Sequence, residues 1–376
     1  AKVDVGAALA WRDFMVSDYH DDGQVQWLDG KGIALVRGTG RLAGPGKVDV
    51  DGRLFSADHV VLAPGSDPAL PPIPGLEGLE GLWGTREATG MKEVPGTLVV
   101  LGAGPAGVEL AQATHRLGAQ VVLVEASERV LPREPAPAGE ALTAALQRDG
   151  MEVLCSAEVV SAGREGDDFV LTLADGSTAR GERLLVATGR RPRVEGLGLE
   201  TVGARADKHG IKVDERLNAA EGVWAIGDAV GIWPLTYVGE YQGEVVATNI
   251  LGTERAAHYE AVPRVTYTDP QVAAVGVASD RFDATVPISG ISRMATYTHA
   301  YRESNGFLTV LSDGERVTGA YAVGPEAGEW LQQLTLAVRA RVPLDVLVDT
   351  IQPFPAFSEI VGITVRKLVR AMSNAG

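Results

Sequence analysis

Residues 98–125 read Leu-Val-Val-Leu-Gly-Ala-Gly-Pro-Ala-Gly-Val-Glu-Leu-Ala-Gln-Ala-Thr-His-Arg-Leu-Gly-Ala-Gln-Val-Val-Leu-Val-Glu. This stretch predicts a strand, a glycine-rich turn, a helix and a second strand. In the turn, Gly102 permits the tight bend and Gly104 lets the backbone approach a pyrophosphate. Gly107 lets the helix pack closely on the strand, and the helix N-terminus faces the phosphates. The stretch therefore predicts a dinucleotide-binding βαβ unit.

The acidic residue at the end of the second strand bears on the choice of dinucleotide. Glu125 follows the apolar run Val121–Val124 and is placed to accept hydrogen bonds from a ribose 2′-hydroxyl. Its negative charge would repel a 2′-phosphate. We therefore expect NAD(H) as the cofactor rather than NADP(H).

The composition narrows the classes of partner. The chain has 376 residues and a formal net charge of −15, which argues against nucleic acid or an anionic membrane surface as partner. No apolar run approaches the ~20 residues of a membrane span, and we expect a cytoplasmic protein. Cys155 is the single cysteine, so the sequence offers no intrachain disulfide and no cysteine-based metal site, and we expect a buried, inert thiol.

The length predicts two or three domains. Short strands, among them Ile33–Arg37 and His59–Leu62, precede a proline-rich linker at residues 63–75. The nucleotide-binding unit extends from about residue 90 to 215. From about residue 256 strands alternate with helices, including a helix at Gly328–Ala340, which predicts a C-terminal α+β domain.

Five motifs, taken in order, resemble those of the pyridine nucleotide–disulfide oxidoreductases, the family of dihydrolipoamide dehydrogenase, glutathione reductase and mercuric reductase. The likeness covers essentially the whole chain. Its motifs are Ala63-Pro64-Gly65-Ser66, the fingerprint Gly102–Glu109, Ala187-Thr188-Gly189-Arg190-Arg191-Pro192, Ala225-Ile226-Gly227-Asp228 and the stretch Val265–Gly276.

The resemblance implies a homodimer with FAD and NAD as cofactors, in which NADH passes a hydride to the flavin. It implies that Gly189, in the second Ala-Thr-Gly turn, and Gly227, in the flavin-binding Gly-Asp motif, bind cofactor, and that Asp228 accepts a hydrogen bond from a ribityl hydroxyl. It places Glu109 near the contact between nicotinamide and flavin. Taken alone, Asp228 fits an acid that caps a helix or turn, and Glu109 fits a first-turn acid favoured by the helix dipole.

The first departure from the family pattern is the absence of its opening βαβ unit and of its Cys-x-x-x-x-Cys pair. We expect the native protein to carry a further N-terminal segment, and the alternative is a remnant of a flavin domain. Half of a doubly wound sheet would leave apolar edges exposed.

The second departure lies in the C-terminal domain, where the family carries His-Pro-x-x-x-Glu. Here Phe354 stands at the histidine position, and the spacing to Glu359 is kept. Phenylalanine cannot exchange a proton, so dithiol substrates would lose base catalysis, an effect of about 10²–10⁴-fold. The alternative is that Phe354 only packs at the dimer interface.

These observations predict an α/β protein with two Rossmann-like domains, of which the FAD-binding one is incomplete, and an α+β dimerisation domain. The expected ranges are residues 1–89 with 216–255 for FAD, 90–215 for NAD and 256–376 for dimerisation. The expected function is an FAD-dependent NAD(H) oxidoreductase that reduces a disulfide or another acceptor. Two alternatives are a non-catalytic NAD-binding dimer without flavin, and a flavin reductase that passes electrons to a quinone, oxygen or a metal ion.

Overall fold

The computed structural model describes residues 3–291 and 305–375. The chain forms two compact units, one built from residues Ala1–Ala69 and Arg190–His258, the other from Leu70–Gly189 and Tyr259–Gly376. Both units combine helices with sheets, as the sequence predicts for an α/β protein. Within the described ranges, no helix has the length and apolar character needed to span a membrane.

The second unit contains a four-stranded parallel sheet in the order Arg183–Val186, Thr97–Leu101, Gln120–Val124 and Glu152–Leu154. The helices of this region are Thr85–Thr89, Pro105–Arg116 and Ala136–Arg148. The strands are almost wholly apolar, as expected for a parallel sheet covered on both faces. A three-stranded antiparallel sheet follows, formed by Val159–Glu165, Asp168–Leu173 and Thr178–Gly181.

A five-stranded antiparallel sheet completes this unit. Its strand order is Arg264–Thr266, Gln271–Gly276, Val317–Gly324, Phe307–Ser312 and Phe282–Pro287. Its helices are Ala327–Trp330, Gln332–Ala340, Leu344–Asp349 and Glu359–Ala375, with a 3₁₀ turn at Ile288–Gly290. One apolar cluster contains residues of the parallel sheet, such as Leu98 and Leu123, together with Val272 and Val323 of the antiparallel sheet. The two sheets of this unit therefore share a core.

The first unit has smaller sheets. Gly40–Leu42, Lys47–Val50 and Arg53–Ser56 form an antiparallel meander, and Asn218–Ala220, Val223–Ala225 and Val60–Leu62 form a three-stranded sheet. Two further strand pairs are Ser66–Pro68 with Arg190–Pro192 and Ala206–Asp207 with Gly210–Ile211. The helices are Val5–Met15, Asp22–Gly30 and Thr236–Ile250, and the 3₁₀ turns are Ser17–Tyr19, Leu199–Val202 and Gly227–Val230.

Apolar side chains are exposed in the first unit. The helices Val5–Met15 and Asp22–Gly30 contain no buried residue, and both Trp11 and Trp27 are exposed. The strand Val60–Leu62 lies at the edge of its sheet, paired only with Val223–Ala225 among the described strands.

Two local predictions are wrong. Ile33–Arg37 is not a strand, because the described part of the chain gives this segment no strand neighbour, and its apolar side chains are exposed. The helix predicted at Gly328–Ala340 is two helices that meet at Leu331. Periodicity alone did not reveal either difference, since both depend on neighbouring elements.

The compact units divide the chain at places other than those predicted. Residues 70–89 belong with the parallel sheet, since Trp83 forms a bridge to Leu185 and Leu76 is fully buried beside the sheet's apolar residues. Residues 190–215 belong with the first unit, because Arg190–Pro192 pairs with Ser66–Pro68. Backbone pairing thus sets both boundaries.

A largely buried ion pair joins the nucleotide-binding region to the antiparallel sheet. Arg264 donates to the carboxylate of Glu134 from Nε at 2.9 and 3.2 Å and from Nη2 at 3.1 Å, and the two side chains are only 17% and 12% exposed. We expect Glu134→Gln to lower the free energy of unfolding by about 3 kcal/mol, because it removes a negative charge that is hydrogen-bonded to a largely buried guanidinium. Urea unfolding would measure the change.

The matched control is Glu165→Gln, which removes the carboxylate of the exposed pair Arg180–Glu165. We expect that change to cost less than about 1 kcal/mol, since exposed ion pairs contribute little. Equal effects of the two substitutions would contradict the structural importance of the Arg264–Glu134 pair.

Candidate nucleotide and flavin sites

The glycine-rich turn has the geometry that a dinucleotide needs. Gly102 has φ +99°, and a Cβ on Gly107 would lie 2.0 Å from the carbonyl oxygen of Gly102, so both positions require glycine. A Cβ on Gly104 would meet nothing within 4 Å, so the space beside this backbone is open. The helix Pro105–Arg116 begins immediately after it. The turn therefore presents accessible backbone at a helix N-terminus, which fits a pyrophosphate.

Glu125 is held by the backbone around this turn. One carboxylate oxygen accepts the N–H of Ala103 at 2.7 Å, and the other accepts the N–H of Ser127 at 2.8 Å. Each carboxylate oxygen can accept a further hydrogen bond, so the arrangement fits a ribose hydroxyl.

The single cysteine, Cys155, is half-buried. Its burial, and to a smaller extent the negative charge of Glu125, raises the pKa of the Cys155 thiol. The thiol therefore stays protonated near neutral pH.

Glu109 lies half-buried on the fingerprint helix. Its carboxylate accepts the N–H of Tyr267 at 2.7 Å, where the antiparallel sheet begins. Burial raises the pKa of Glu109, and the hydrogen bond from Tyr267 opposes that shift only in part. The contact with Tyr267 was not expected from sequence. The position of Glu109 relative to a nicotinamide stays a prediction.

The predicted flavin-binding acid lies in the first unit, just after the strand Val223–Ala225. Gly227 has φ +70°, and a Cβ there would meet nothing within 4 Å, so the approach to Asp228 is open. The carboxylate of Asp228 accepts the hydroxyl of Ser66, and Arg190 lies 3.6 Å from the same oxygen. An oriented acceptor beside an open backbone fits a ribityl hydroxyl. Gly189 has φ +132° and open space at its Cβ position.

Sequence reasoning missed three residues of this cluster. Ser66 and Arg190 were seen only as members of two turn motifs, and no role was assigned to them. Gln242 was missed entirely, although it is fully buried and its side-chain oxygen accepts the N–H of Gly227 at 2.6 Å. An uncharged polar residue inside a helix carries no motif, so only its burial identifies it.

Phe354 lies shortly before the last helix, Glu359–Ala375, and Glu359 is the first residue of that helix. Phe354 is 73% exposed. One carboxylate oxygen of Glu359 is buried without a hydrogen-bond partner among the described residues, and so is the amide nitrogen of Gln352. The structure therefore shows an exposed aromatic ring at position 354 and one buried, unsatisfied carboxylate oxygen at position 359. Sequence reasoning did not single out Gln352.

The raised pKa of Glu109 predicts a pH-dependent effect of Glu109→Gln. Glutamine can still accept the N–H of Tyr267 but carries no charge to be buried. Below the pKa of glutamate in the unfolded chain, about 4.3, the wild-type group is protonated in both states, so the variant should match it in stability. As pH rises through the folded-state pKa, the wild type loses stability relative to the variant.

Urea unfolding between pH 4 and pH 8 would measure this difference. Glu128→Gln, in the exposed part of the loop after Glu125, is the control and should show no such trend. A constant difference between Glu109→Gln and wild type at all pH values would contradict the prediction.

Comparison with known proteins assigns the fold and the family. The family model for pyridine nucleotide-disulphide oxidoreductases matches residues 11–243, and the model for the dimerisation domain of that family matches residues 262–364. Together these matches cover both compact units, and the second supports a homodimer.

Individual relatives agree with this assignment. The dihydrolipoyl dehydrogenase of Thermus scotoductus is 33% identical over 95% of this chain and 80% of its own length. The mercuric reductase of Shigella flexneri is 35% identical over 80% of this chain and 55% of its own length. The crystal structure of LpdA from Mycobacterium tuberculosis superposes with a TM-score of 0.85 at 26% identity, covering 98% of this chain and 84% of that one.

The resemblance inferred from the five motifs is therefore confirmed, and so are the fold class and the expectation of FAD and NAD(H) as cofactors. The chain belongs to the pyridine nucleotide-disulphide oxidoreductase family and is an FAD-dependent NAD(H) oxidoreductase.

Proposed function

We propose that this enzyme oxidises NADH and delivers the electrons to an acceptor that needs no proton exchange with residue 354, such as a quinone. The single observation that carries the proposal is the exposed phenyl ring of Phe354, at the position where the family motif His-Pro-x-x-x-Glu has its histidine. For a quinone, the balanced reaction is NADH, one proton and quinone giving NAD⁺ and hydroquinone. FAD, when bound, would supply the two-electron redox chemistry.

The residues that would bind NADH lie in the second unit. Backbone N–H groups hold the Glu125 carboxylate, which would bind the adenosine ribose by its hydroxyls. The open backbone at Gly104 would bind the pyrophosphate. Glu109, fixed by the N–H of Tyr267, would orient the nicotinamide. These residues bind and orient the dinucleotide, which turns hydride transfer into a step between pre-positioned groups.

The flavin end rests on the first unit, where Asp228 would accept a ribityl hydroxyl. At the acceptor side, the ring of Phe354 carries no exchangeable proton. Glu359 retains a carboxylate, but its unsatisfied oxygen is buried and is not presented at the surface as a base. These side chains suit electron transfer to an acceptor better than acid–base work on a dithiol.

A second candidate is a disulfide reductase. The name of the Thermus scotoductus relative favours it, as does Glu359, which keeps its spacing from position 354. Dithiol chemistry would then proceed without the base that assists it in relatives, and should be slow.

The deciding experiment is an anaerobic absorption spectrum of the purified protein, followed by NADH and then by acceptors. We expect a flavin band that NADH bleaches and that a soluble ubiquinone analogue restores faster than oxidised lipoamide. Faster recovery with lipoamide would favour the disulfide reductase. A protein that holds no flavin under these conditions would contradict both candidates for this chain.

We expect Glu125→Gln to change the choice of dinucleotide. Glutamine keeps an acceptor but loses the charge that repels a 2′-phosphate. The ratio of kcat/KM for NADPH to that for NADH should rise about 10-fold, equivalent to about 1.4 kcal/mol. Glu128→Gln, an exposed neutral-for-acid change in the same loop, should leave the ratio unchanged. Equal use of NADPH and NADH by the wild-type enzyme would show that Glu125 does not select the dinucleotide.

We expect Phe354→His to restore dithiol turnover. In enzyme that carries a redox-active cysteine pair, oxidation of dihydrolipoamide by NAD⁺ should rise by about 10²-fold, because an imidazole can exchange the proton that phenylalanine cannot. Quinone reduction should change little. Phe354→Leu is the matched control, since it changes the ring without adding a base. An unchanged dithiol rate in the histidine variant would mean that this position only packs.

A further inference from the structure

The hydrogen bonds around Asp228 have fixed donors and acceptors. Arg190 donates from Nε to the hydroxyl of Ser66 at 2.6 Å and from Nη2 to the carbonyl oxygen of Ser66 at 2.6 Å. A guanidinium has no acceptor, so the Ser66 hydroxyl must accept this bond. Its single proton is then available only to Oδ2 of Asp228, which is the oxygen it contacts.

This arrangement distinguishes the two oxygens of the Asp228 carboxylate. Oδ2 has the Ser66 hydroxyl as donor and the Arg190 guanidinium 3.6 Å away. No side chain or backbone group in the described ranges engages Oδ1. The carboxylate is thus held by one oxygen, and the other is free to accept a bond from a ligand.

Backbone pairing places Ser66 and Arg190 together. The strand Ser66–Pro68 pairs antiparallel with Arg190–Pro192, and Ser66 itself is only 7% exposed. The N–H of Arg193 donates to the carbonyl oxygen of Gly65 at 3.0 Å, which extends the pairing by one bond. Main-chain pairing therefore holds Arg190, the donor, and Ser66, whose hydroxyl contacts Asp228, in place before any ligand binds.

We propose that Arg190 and Ser66 are positioning residues of the flavin site. Arg190 orders the Ser66 hydroxyl, and that hydroxyl holds Asp228 so that Oδ1 accepts a ribityl hydroxyl of FAD. The inference rests on the proposed role of Asp228 as the ribityl acceptor. It adds that the two turn motifs act together on Asp228 through a relay of two side chains.

The test compares the binding of FAD with that of an FAD analogue whose ribityl hydroxyls are replaced by hydrogen, using flavin fluorescence on the apoprotein. We expect Ser66→Ala and Arg190→Gln each to raise the Kd for FAD about 10-fold, as for loss of a hydrogen bond to a charged group. Neither change should alter the Kd for the analogue by more than about 2-fold. A merely structural role would weaken both ligands equally.

Two further variants complete the design. If Arg190 acts through Ser66, the double variant should bind FAD no more weakly than Ser66→Ala, because interacting sites are not additive. Arg191→Gln is the matched control, since Arg191 faces Glu195 at 3.6 Å and contacts neither Ser66 nor Asp228. It should leave both Kd values unchanged.

The outcomes separate the relay from the role of Asp228 itself. If Asp228→Ala weakens FAD binding while Ser66→Ala and Arg190→Gln do not, the relay is wrong and the role of Asp228 stands. If Asp228→Ala leaves FAD binding unchanged, the role of Asp228 is wrong, and the relay fails with it. Additive effects in the double variant would overturn the path from Arg190 through Ser66.

Discussion

The close approach of the fingerprint helix to its turn is the constraint on which the second unit depends. Without a side chain at Gly107, the helix Pro105–Arg116 can lie against the backbone of Gly102. Three polar residues spaced along one face of that helix then contact residues 267–269. Glu109 accepts the N–H of Tyr267, Gln112 bonds both N–H and carbonyl of Asp269, and Arg116 binds the Asp269 carboxylate. A single helix thus begins at the open glycine-rich turn and contacts the antiparallel sheet along its length.

The parts that were predictable from sequence are those set by local chemistry. The glycine pattern at 102–107 and the acid at 125 are decided by backbone approach and by the end of one strand, so the order of residues carries the information. Ile33–Arg37 shows the opposite case. Its composition suits a strand, but a strand needs a neighbour, and neighbours depend on the rest of the chain. The compact units also depend on distant pairing, since that of Ser66–Pro68 with Arg190–Pro192 joins segments 124 residues apart, and the expected domain ranges stay a prediction.

The sequence predicts those residues of the candidate site that lie in motifs, and it does not predict the residues that contact them. Asp228 ends a recognisable motif. Ser66 and Gln242 act by contacting that motif from distant positions in the chain, and serine and glutamine are common enough that neither is distinctive alone. The carboxylates also differ in their support. Backbone donors satisfy Glu125 on both oxygens, whereas Glu359 keeps a buried oxygen without a partner in the described structure, which is energetically unfavourable.

The shared core of the second unit has a consequence for how the protein loses its structure. Because Leu98 and Leu123 pack in the same cluster as Val272 and Val323, separating the parallel sheet from the antiparallel one would expose apolar surface on both. The region with the glycine-rich turn and the region matched to the dimerisation domain therefore share one apolar cluster, and we expect them to unfold together. A substitution that destabilises one of these regions therefore also lowers the fraction of molecules in which the other region is folded. In evolution, neither region can be exchanged for an unrelated module without rebuilding the interface between them.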